Sequence, residues 1–339
     1  MVRLLSWILH ALPLPWVLAW GRALGWLAYR LGIRRRIVDG NLRLAFPEMA
    51  AAERQAVARR MWLGLGMLAV ELLRSPRMTP EEVRARIELD GWEHLEAARA
   101  RGRGVIVVTG HFGNWELLAT ATAILGVPLH VVSRRMSQRR INRWWKEARA
   151  RAGLHDLPDR GSARRILRVL KRGEVLGLAF DQNIRPPAGT FVRFFGVPAA
   201  TIRAPATLAE ATGAAIVTAF LVRQGAGRHR LVLRPFEYEA VGGSREARER
   251  HNLQRLSDLL EAWIRRHPDH WMWLHRRWKS RPAPEGGFVD LPAAAYAQRV
   301  ATRSLSVSGA RRAGAVARPR PAGWPRGVDG GRKRAPSGR

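Results

Sequence analysis

The apolar pattern of this chain changes character several times, and each change marks an element. Leu4 to Gly21 contains no charged residue, and its apolar character resumes through Trp26 and Leu27 to Ile33, interrupted by Arg22 and Arg30. As one helix, Leu4–Gly21 would be about 27 Å long, marginal for a bilayer. Pro13 and Pro15 favour a kink or two short segments instead. From Glu53 to Leu73 the apolar residues Val57, Met61, Leu65, Leu68 and Leu72 recur at helical spacing, which predicts an amphipathic helix. Val105 to Val108 is a β-branched run between Gly104 and Gly110 and reads as a buried strand; the Leu/Ala-rich pattern from Trp115 onward reads as a helix.

Further along, strands are expected at Ile87–Leu89, Val127–Ser133, Val175–Phe180, Ala215–Leu221 and Leu231–Pro235. Helices are expected at Trp92–Ala100, Gln138–Arg151, residues 204–212 and His251–Arg266. Strands and helices thus alternate along the body of the chain. From residue 281 onward the chain is rich in Pro, Gly, Ala and Arg and has no apolar periodicity, so it is expected to be a disordered basic tail. The expected division is therefore 1–33 anchor, 34–280 catalytic domain and 281–339 tail.

Charge narrows the partners. The 339 residues carry 59 Lys and Arg against 27 Asp and Glu, a net charge of +32, which calls for an anionic partner such as nucleic acid, phospholipid, a phosphorylated saccharide or an acidic carrier protein. A nucleic-acid-binding protein would explain that charge but neither the apolar N-terminus nor the motif described next. Cys is absent, excluding disulfides and a thiol nucleophile. Fourteen Trp stand against three Tyr, and Trp7, Trp16, Trp20 and Trp26 suit a membrane interface, with Arg34-Arg35-Arg36 placing the remainder on the cytoplasmic side.

The candidate chemistry lies between the Val105 strand and the helix after it. Gly110 and Gly113 permit a tight turn that contains His111, and Glu116 follows five residues later. On one helix that spacing is about 140° of rotation, so the two side chains meet only if His111 precedes the helix and Glu116 lies near its start. The carboxylate then holds the imidazole tautomer while the other ring nitrogen faces a substrate hydroxyl. The Val175–Phe180 strand delivers Asp181 and Gln182 at its carboxyl end, where ligands collect in α/β sheets and where His111 also belongs. His267, Asp269, His270 and His275 show no recognised ligand spacing, and no metal is expected.

The string His111-Phe-Gly-Asn-Trp-Glu116 resembles the catalytic motif of the bacterial lipid A biosynthesis acyltransferases, within the wider glycerolipid acyltransferase group. Similar segments follow in the family's order: Asn41 to Pro47, Arg149 and Arg151 before Gly153, Asp181-Gln182, Phe194-Phe195-Gly196, Thr212-Gly213, and Trp271 to Trp278. Where the family shows an aromatic-Arg-Pro string, this chain has Ser133-Arg134-Arg135-Met136. The resemblance implies an α/β fold, a mixed central sheet flanked by helices with an N-terminal membrane-associated helical segment. It implies transfer of a fatty acyl chain from an acyl-carrier-protein thioester to a hydroxyl of a phosphorylated lipid A precursor at the inner membrane. It implies His111 as general base supported by Glu116, and substrate contacts from Asn114, Arg134, Arg149, Arg151, Asp181 and Gln182. It implies no cofactor and no metal. Another glycolipid, such as a phosphatidylinositol mannoside, or a lysophospholipid is the alternative acceptor.

Overall fold

The structure is a computed structural model describing residues 2–134, 136–225 and 227–301. It opens with α1 (Val2–Ala11), α2 (Leu14–Arg30), α3 (Arg35–Ala45), α4 (Ala51–Arg74) and α5 (Pro80–Arg86). Next come β1 (Ile87–Asp90), α6 (Trp92–Ala100), β2 (Val105–Thr109), α7 (Trp115–Ile124), β3 (Leu129–Ser133), α8 (Arg139–Arg151), β4 (Leu154–Pro158), α9 (Ala163–Lys171) and β5 (Val175–Ala179). The hairpin β6 (Gly189–Phe194) and β7 (Val197–Ile202) leads to α10 (Ala204–Thr212), β8 (Ala215–Gly225), β9 (Arg228–Phe236) and α11 (Arg245–Arg266). The described chain closes with β10 (Ser280–Pro282), β11 (Phe288–Asp290) and α12 (Tyr296–Ala301).

Seven strands form one mixed sheet in the order β1-β9-β8-β2-β5-β3-β4, in which β8 and β9 are antiparallel and every other pair is parallel. β2 lies in the middle and is covered on both faces, as its unbroken apolar run requires. Ile106 and Val108 enter one core with Leu176, Leu178, Phe220 and the aromatic residues of 271–278. Val105 and Val107 enter the other core, with Leu117, Leu118 and Ala121 of α7. This alternation is the two-residue period of a strand.

The N-terminal apolar run forms two helices, not one. The break falls at Leu12-Pro13, and Pro15 occupies the first turn of α2, where its missing N–H is not needed. Among the described residues no helix is long and apolar enough to cross a membrane. One face of α2 packs against α4 so closely that backbones touch. A Cβ on Gly25 would stand 2.1 Å from the carbonyl oxygen of Trp62, and one on Gly66 would stand 2.0 Å from that of Gly21. The outer faces of α1 and α2 are open: Trp7, Trp16, Trp20 and Trp26 are each at least half exposed, as are Leu4, Leu24 and, just after α2, Leu31.

The chain remains structured past residue 281, which corrects the expected start of the tail. Leu291, Tyr296 and Val300 are buried, and the Tyr296 hydroxyl donates to Asn41 Oδ1 at 2.7 Å. Asn41 Nδ2 in turn donates to the carbonyls of Trp273 and His275, both at 2.8 Å. Composition hid this, because three anchoring residues suffice to dock a Pro/Gly-rich segment on a core already formed. The rest of the expected tail, 302–339, lies outside the described residues.

Two truncations test that docking. A chain ending at Pro284 loses Leu291, Tyr296 and Val300 and is expected to melt roughly 5–15 °C below a chain ending at Ala301, the shift that a few kcal/mol of lost burial produces at this size. Equal melting temperatures in a calorimetric scan would remove α12 from the core.

Candidate active site

The site is built from the carboxyl ends of two neighbouring parallel strands. β2 and β5 pair in register, with Thr109 opposite Ala179. His111 and Asp181 each lie two residues beyond that pair and therefore emerge at the same level. The Asp181 carboxylate accepts the backbone N–H of His111 at 2.8 Å on Oδ2 and meets the imidazole Nδ1 at 2.7 Å through Oδ1. The indole Nε1 of Trp271 donates to Oδ2 at 2.7 Å. A carboxylate this close fixes the proton on Nδ1 and leaves Nε2 as the free base of the neutral ring.

The hydrogen bond that sequence spacing suggested for Glu116 is thus made by Asp181. Glu116 lies in the first turn of α7, as the rotation argument required, but both its oxygens face α8. Arg149 donates to them at 2.8 and 3.0 Å from Nη2 and at 3.2 Å from Nε, and Trp145 donates at 3.2 Å. Arg149 also reaches Asp156 at 2.8 Å, and its guanidinium lies 3.6 Å from the centroid of the Trp145 ring. Glu116 acts on His111 through space, as one of the charges that raise its pKa.

These charges compete at His111. Burial disfavours the imidazolium, but the Asp181 charge, its hydrogen bond and the Glu116 charge together outweigh burial and hold the pKa above its ordinary 6.5. Burial would likewise raise the Asp181 pKa, yet the His111 charge and three donated hydrogen bonds hold it well below the usual carboxylate range. The imidazole is nevertheless reachable, with 22% of its side-chain surface exposed. The side-chain nitrogen of Gln182 lies 3.1 Å from His111 Nε2.

The turn is held from behind. Gly113 has φ +57°, and a Cβ there would stand 1.8 Å from the Leu221 carbonyl oxygen, so β8 leaves room for glycine alone. The Gly113 N–H donates to the His270 carbonyl at 2.8 Å, and the Met272 N–H donates to the His111 carbonyl at 3.0 Å. The tryptophan-rich segment is therefore a clamp on the turn, with Trp271, Trp273 and Trp278 fully buried. Arg277 is 1% exposed and donates to the Ala200 carbonyl at 2.7 Å and to the Thr201 hydroxyl. Burial pushes its pKa down to about 10, with the Asp181 charge opposing. Among the described residues no group of three or more His, Asp or Glu is arranged to hold a metal.

Of the other candidates, Asn114 is 1% exposed and turned inward. Its Oδ1 caps α7 at the Leu117 N–H, 3.0 Å away, and its Nδ2 donates to Glu71 at 2.8 Å. Arg134 is largely exposed and meets Asp159 at 3.3 Å, and Arg151 is exposed at the end of α8. Neither is brought to His111. Glu71 was not singled out by sequence, because it sits inside an otherwise ordinary amphipathic helix. It is 1% exposed and accepts from Arg223, from Arg86 at 3.1 Å and from Asn114. Burial alone would raise its pKa; Arg223, with help from His229 and Arg86, lowers it instead.

A family model described as bacterial lipid A biosynthesis acyltransferase matches residues 1–280. The chain is 30% identical over 286 residues to the lipid A biosynthesis palmitoleoyltransferase of Escherichia coli (strain K12), covering 82% of this chain and 90% of that protein. It is 30% identical to the lipid A biosynthesis lauroyltransferase of the same organism, covering 81% and 89% respectively. A phosphatidylinositol mannoside acyltransferase of Mycobacterium tuberculosis is 26% identical over 61% of this chain and 66% of its own length.

Glu71 supplies a stability test. Glu71→Ala leaves Arg223 and Arg86 buried without their carboxylate and uncouples the Asn114 cap, so it is expected to cost about 3–5 kcal/mol in urea unfolding, the usual penalty for breaking a buried pair. A loss under about 1 kcal/mol, the value of an exposed pair, would show that water already reaches the cluster.

Proposed function

Because the chain belongs to the bacterial lipid A biosynthesis acyltransferase family, we propose that it transfers a fatty acyl chain from an acyl-carrier-protein thioester to a hydroxyl of a phosphorylated lipid A precursor, with His111 as general base. The observation that carries this reading is the imidazole pinned at Nδ1 by Asp181 while 22% of its side-chain surface stays exposed. The acceptor hydroxyl displaces the Gln182 amide and gives its proton to His111 Nε2 as its oxygen attacks the thioester carbonyl carbon. The tetrahedral adduct then expels the carrier thiolate, which takes that proton back from the imidazolium. Asp181 stabilises the imidazolium by contact and Glu116 by its charge at longer range, while Arg149 holds Glu116 in place. No covalent intermediate on the protein is needed.

The open apolar face of α1 and α2 supports attachment in the plane of the inner membrane. Its four exposed tryptophans suit the interface, and the helices are too short to span. The Arg34-Arg35-Arg36 run supports a catalytic domain on the cytoplasmic face. The likeness to a phosphatidylinositol mannoside acyltransferase favours, as a second acceptor class, another phosphorylated glycolipid.

Purified variants test the base. His111→Ala is expected to lower turnover by ~10²–10⁴-fold with normal folding, the range typical of a lost general base. The base form of His111 exists only above its raised pKa, so kcat/KM should climb with pH through an apparent pKa above 6.5. Asp181→Asn should move that inflection downward while reducing the plateau, and the His111→Ala/Asp181→Asn double variant should cost far less than the product of the single effects. An active His111→Ala enzyme, or an inflection indifferent to Asp181→Asn, defeats the mechanism.

Membrane attachment has its own test. Replacing Trp16, Trp20 and Trp26 together by Ser should release most of the protein from phosphatidylglycerol/phosphatidylcholine vesicles in a flotation assay at high salt. Undiminished flotation would move the contact elsewhere.

A further inference from the structure

Beside the glycine contact of α2 and α4 runs a groove of about 640 Å³ that the catalytic turn does not use. Its lining includes Arg22 and Trp26 of α2, Arg59, Arg60 and Leu63 of α4, and Asp269. The spacing explains the arrangement. Residues 22 and 26 on one helix, and 59 and 63 on the other, are one turn apart and share a face, so each wall carries an arginine followed by an apolar residue.

The charge in this groove is not balanced by the protein. Arg60 pairs with Asp269 at 3.3 Å, while among the described residues no carboxylate lies within 4.0 Å of Arg22 or Arg59, both of which are exposed. Two guanidinium groups thus face one cavity with a half-exposed tryptophan beside them, and guanidinium forks match phosphate oxygens. The groove also lies next to the catalytic turn in the chain. Asp269 directly precedes His270, whose carbonyl accepts the Gly113 N–H, and the open apolar face of α2 borders the groove's outer rim.

We propose that Arg22 and Arg59 bind a phosphate of the glycolipid acceptor while Trp26 and Leu63 lie along the start of one of its acyl chains. This inference rests on the acyltransferase reading above and assigns that substrate a site. The groove selects for an acceptor that is anionic at its head and apolar immediately below, and it receives the molecule from the side on which the exposed tryptophans lie. Arg60, already held by Asp269, sets the wall of the groove and leaves the other two cations for the ligand.

The test compares a phosphorylated lipid A precursor with the same molecule after phosphatase treatment, using the full chain in detergent micelles with acyl-carrier-protein thioester as donor. The wild-type protein is expected to prefer the phosphorylated acceptor by ~10-fold or more in kcat/KM, the scale of charge-assisted contacts. Arg22→Gln with Arg59→Gln should erase most of that preference through KM, with kcat within about twofold. Absence of a preference in the wild-type protein, or its survival in the double variant, would overturn the proposal. Sedimentation with phosphatidylglycerol/phosphatidylcholine vesicles separates the acceptor's own phosphate from bulk headgroups. A loss of vesicle binding in the double variant as large as its rise in KM assigns the arginines to the membrane surface and defeats the proposal. If the wild-type protein acylates neither acceptor, the acyltransferase reading itself fails, an outcome distinct from lost discrimination. Both arginines are exposed, so the substitutions leave the core untouched, and matching thermal melts verify this.

Discussion

One buried carboxylate governs the geometry of the site. Asp181 gathers a backbone N–H, an imidazole and an indole around two oxygen atoms. A charge taken so far out of water survives only with its hydrogen-bonding capacity filled. The donors come from two distant parts of the chain: the backbone and ring of His111 in the turn after β2, and Trp271 in the tryptophan-rich segment far downstream. The carboxylate therefore determines both where the turn lies and which ring nitrogen is free. Its position follows from the parallel register of β2 and β5, which brings two strand ends to the same height.

Around that centre the protein arranges successive layers of support. The Trp271–Trp278 segment holds the turn by backbone hydrogen bonds, and Asn41 and Tyr296 hold that segment in turn. On the opposite side Glu71 fixes the Asn114 cap, and Arg149 with Asp156 fixes Glu116. Most of the charged side chains near the turn are thus engaged with one another, and the His111 ring, beside Gln182, keeps part of its surface exposed.

Much of this architecture was legible in the sequence where local chemistry decided it. The β-branched run at Val105, the helix over residues 204–212 ending at Gly213, and the long amphipathic helix from Glu53 all formed close to their expected bounds. The placement of His111 in the turn and Glu116 near the start of the helix followed from rotation alone. The partner of His111 did not, because Asp181 is 70 residues away and only strand register brings it close. The hairpin of β6 and β7, the β4–α9 unit and the docked α12 were missed for a similar reason: their short patterns acquire meaning only against surfaces built elsewhere. Asn114 and Arg149 were expected to contact substrate; in the structure their side chains serve the neighbouring carboxylates of Glu71 and Glu116.

The backbone contact between α2 and α4 fixes a dimension of the whole molecule. With glycine carbonyls and Cα atoms already touching, neither helix can slide or tilt against the other without a collision. α4 in turn carries Glu71, which accepts from Asn114, the cap that holds the start of α7. The height of the imidazole above the outer face of α2 is therefore a property of the protein, as fixed as the reach of a caliper. For the acyl transfer proposed above, that fixed height would decide which hydroxyl of an acceptor seated beside α2 reaches His111, so the thickness of two helices would select the position acylated.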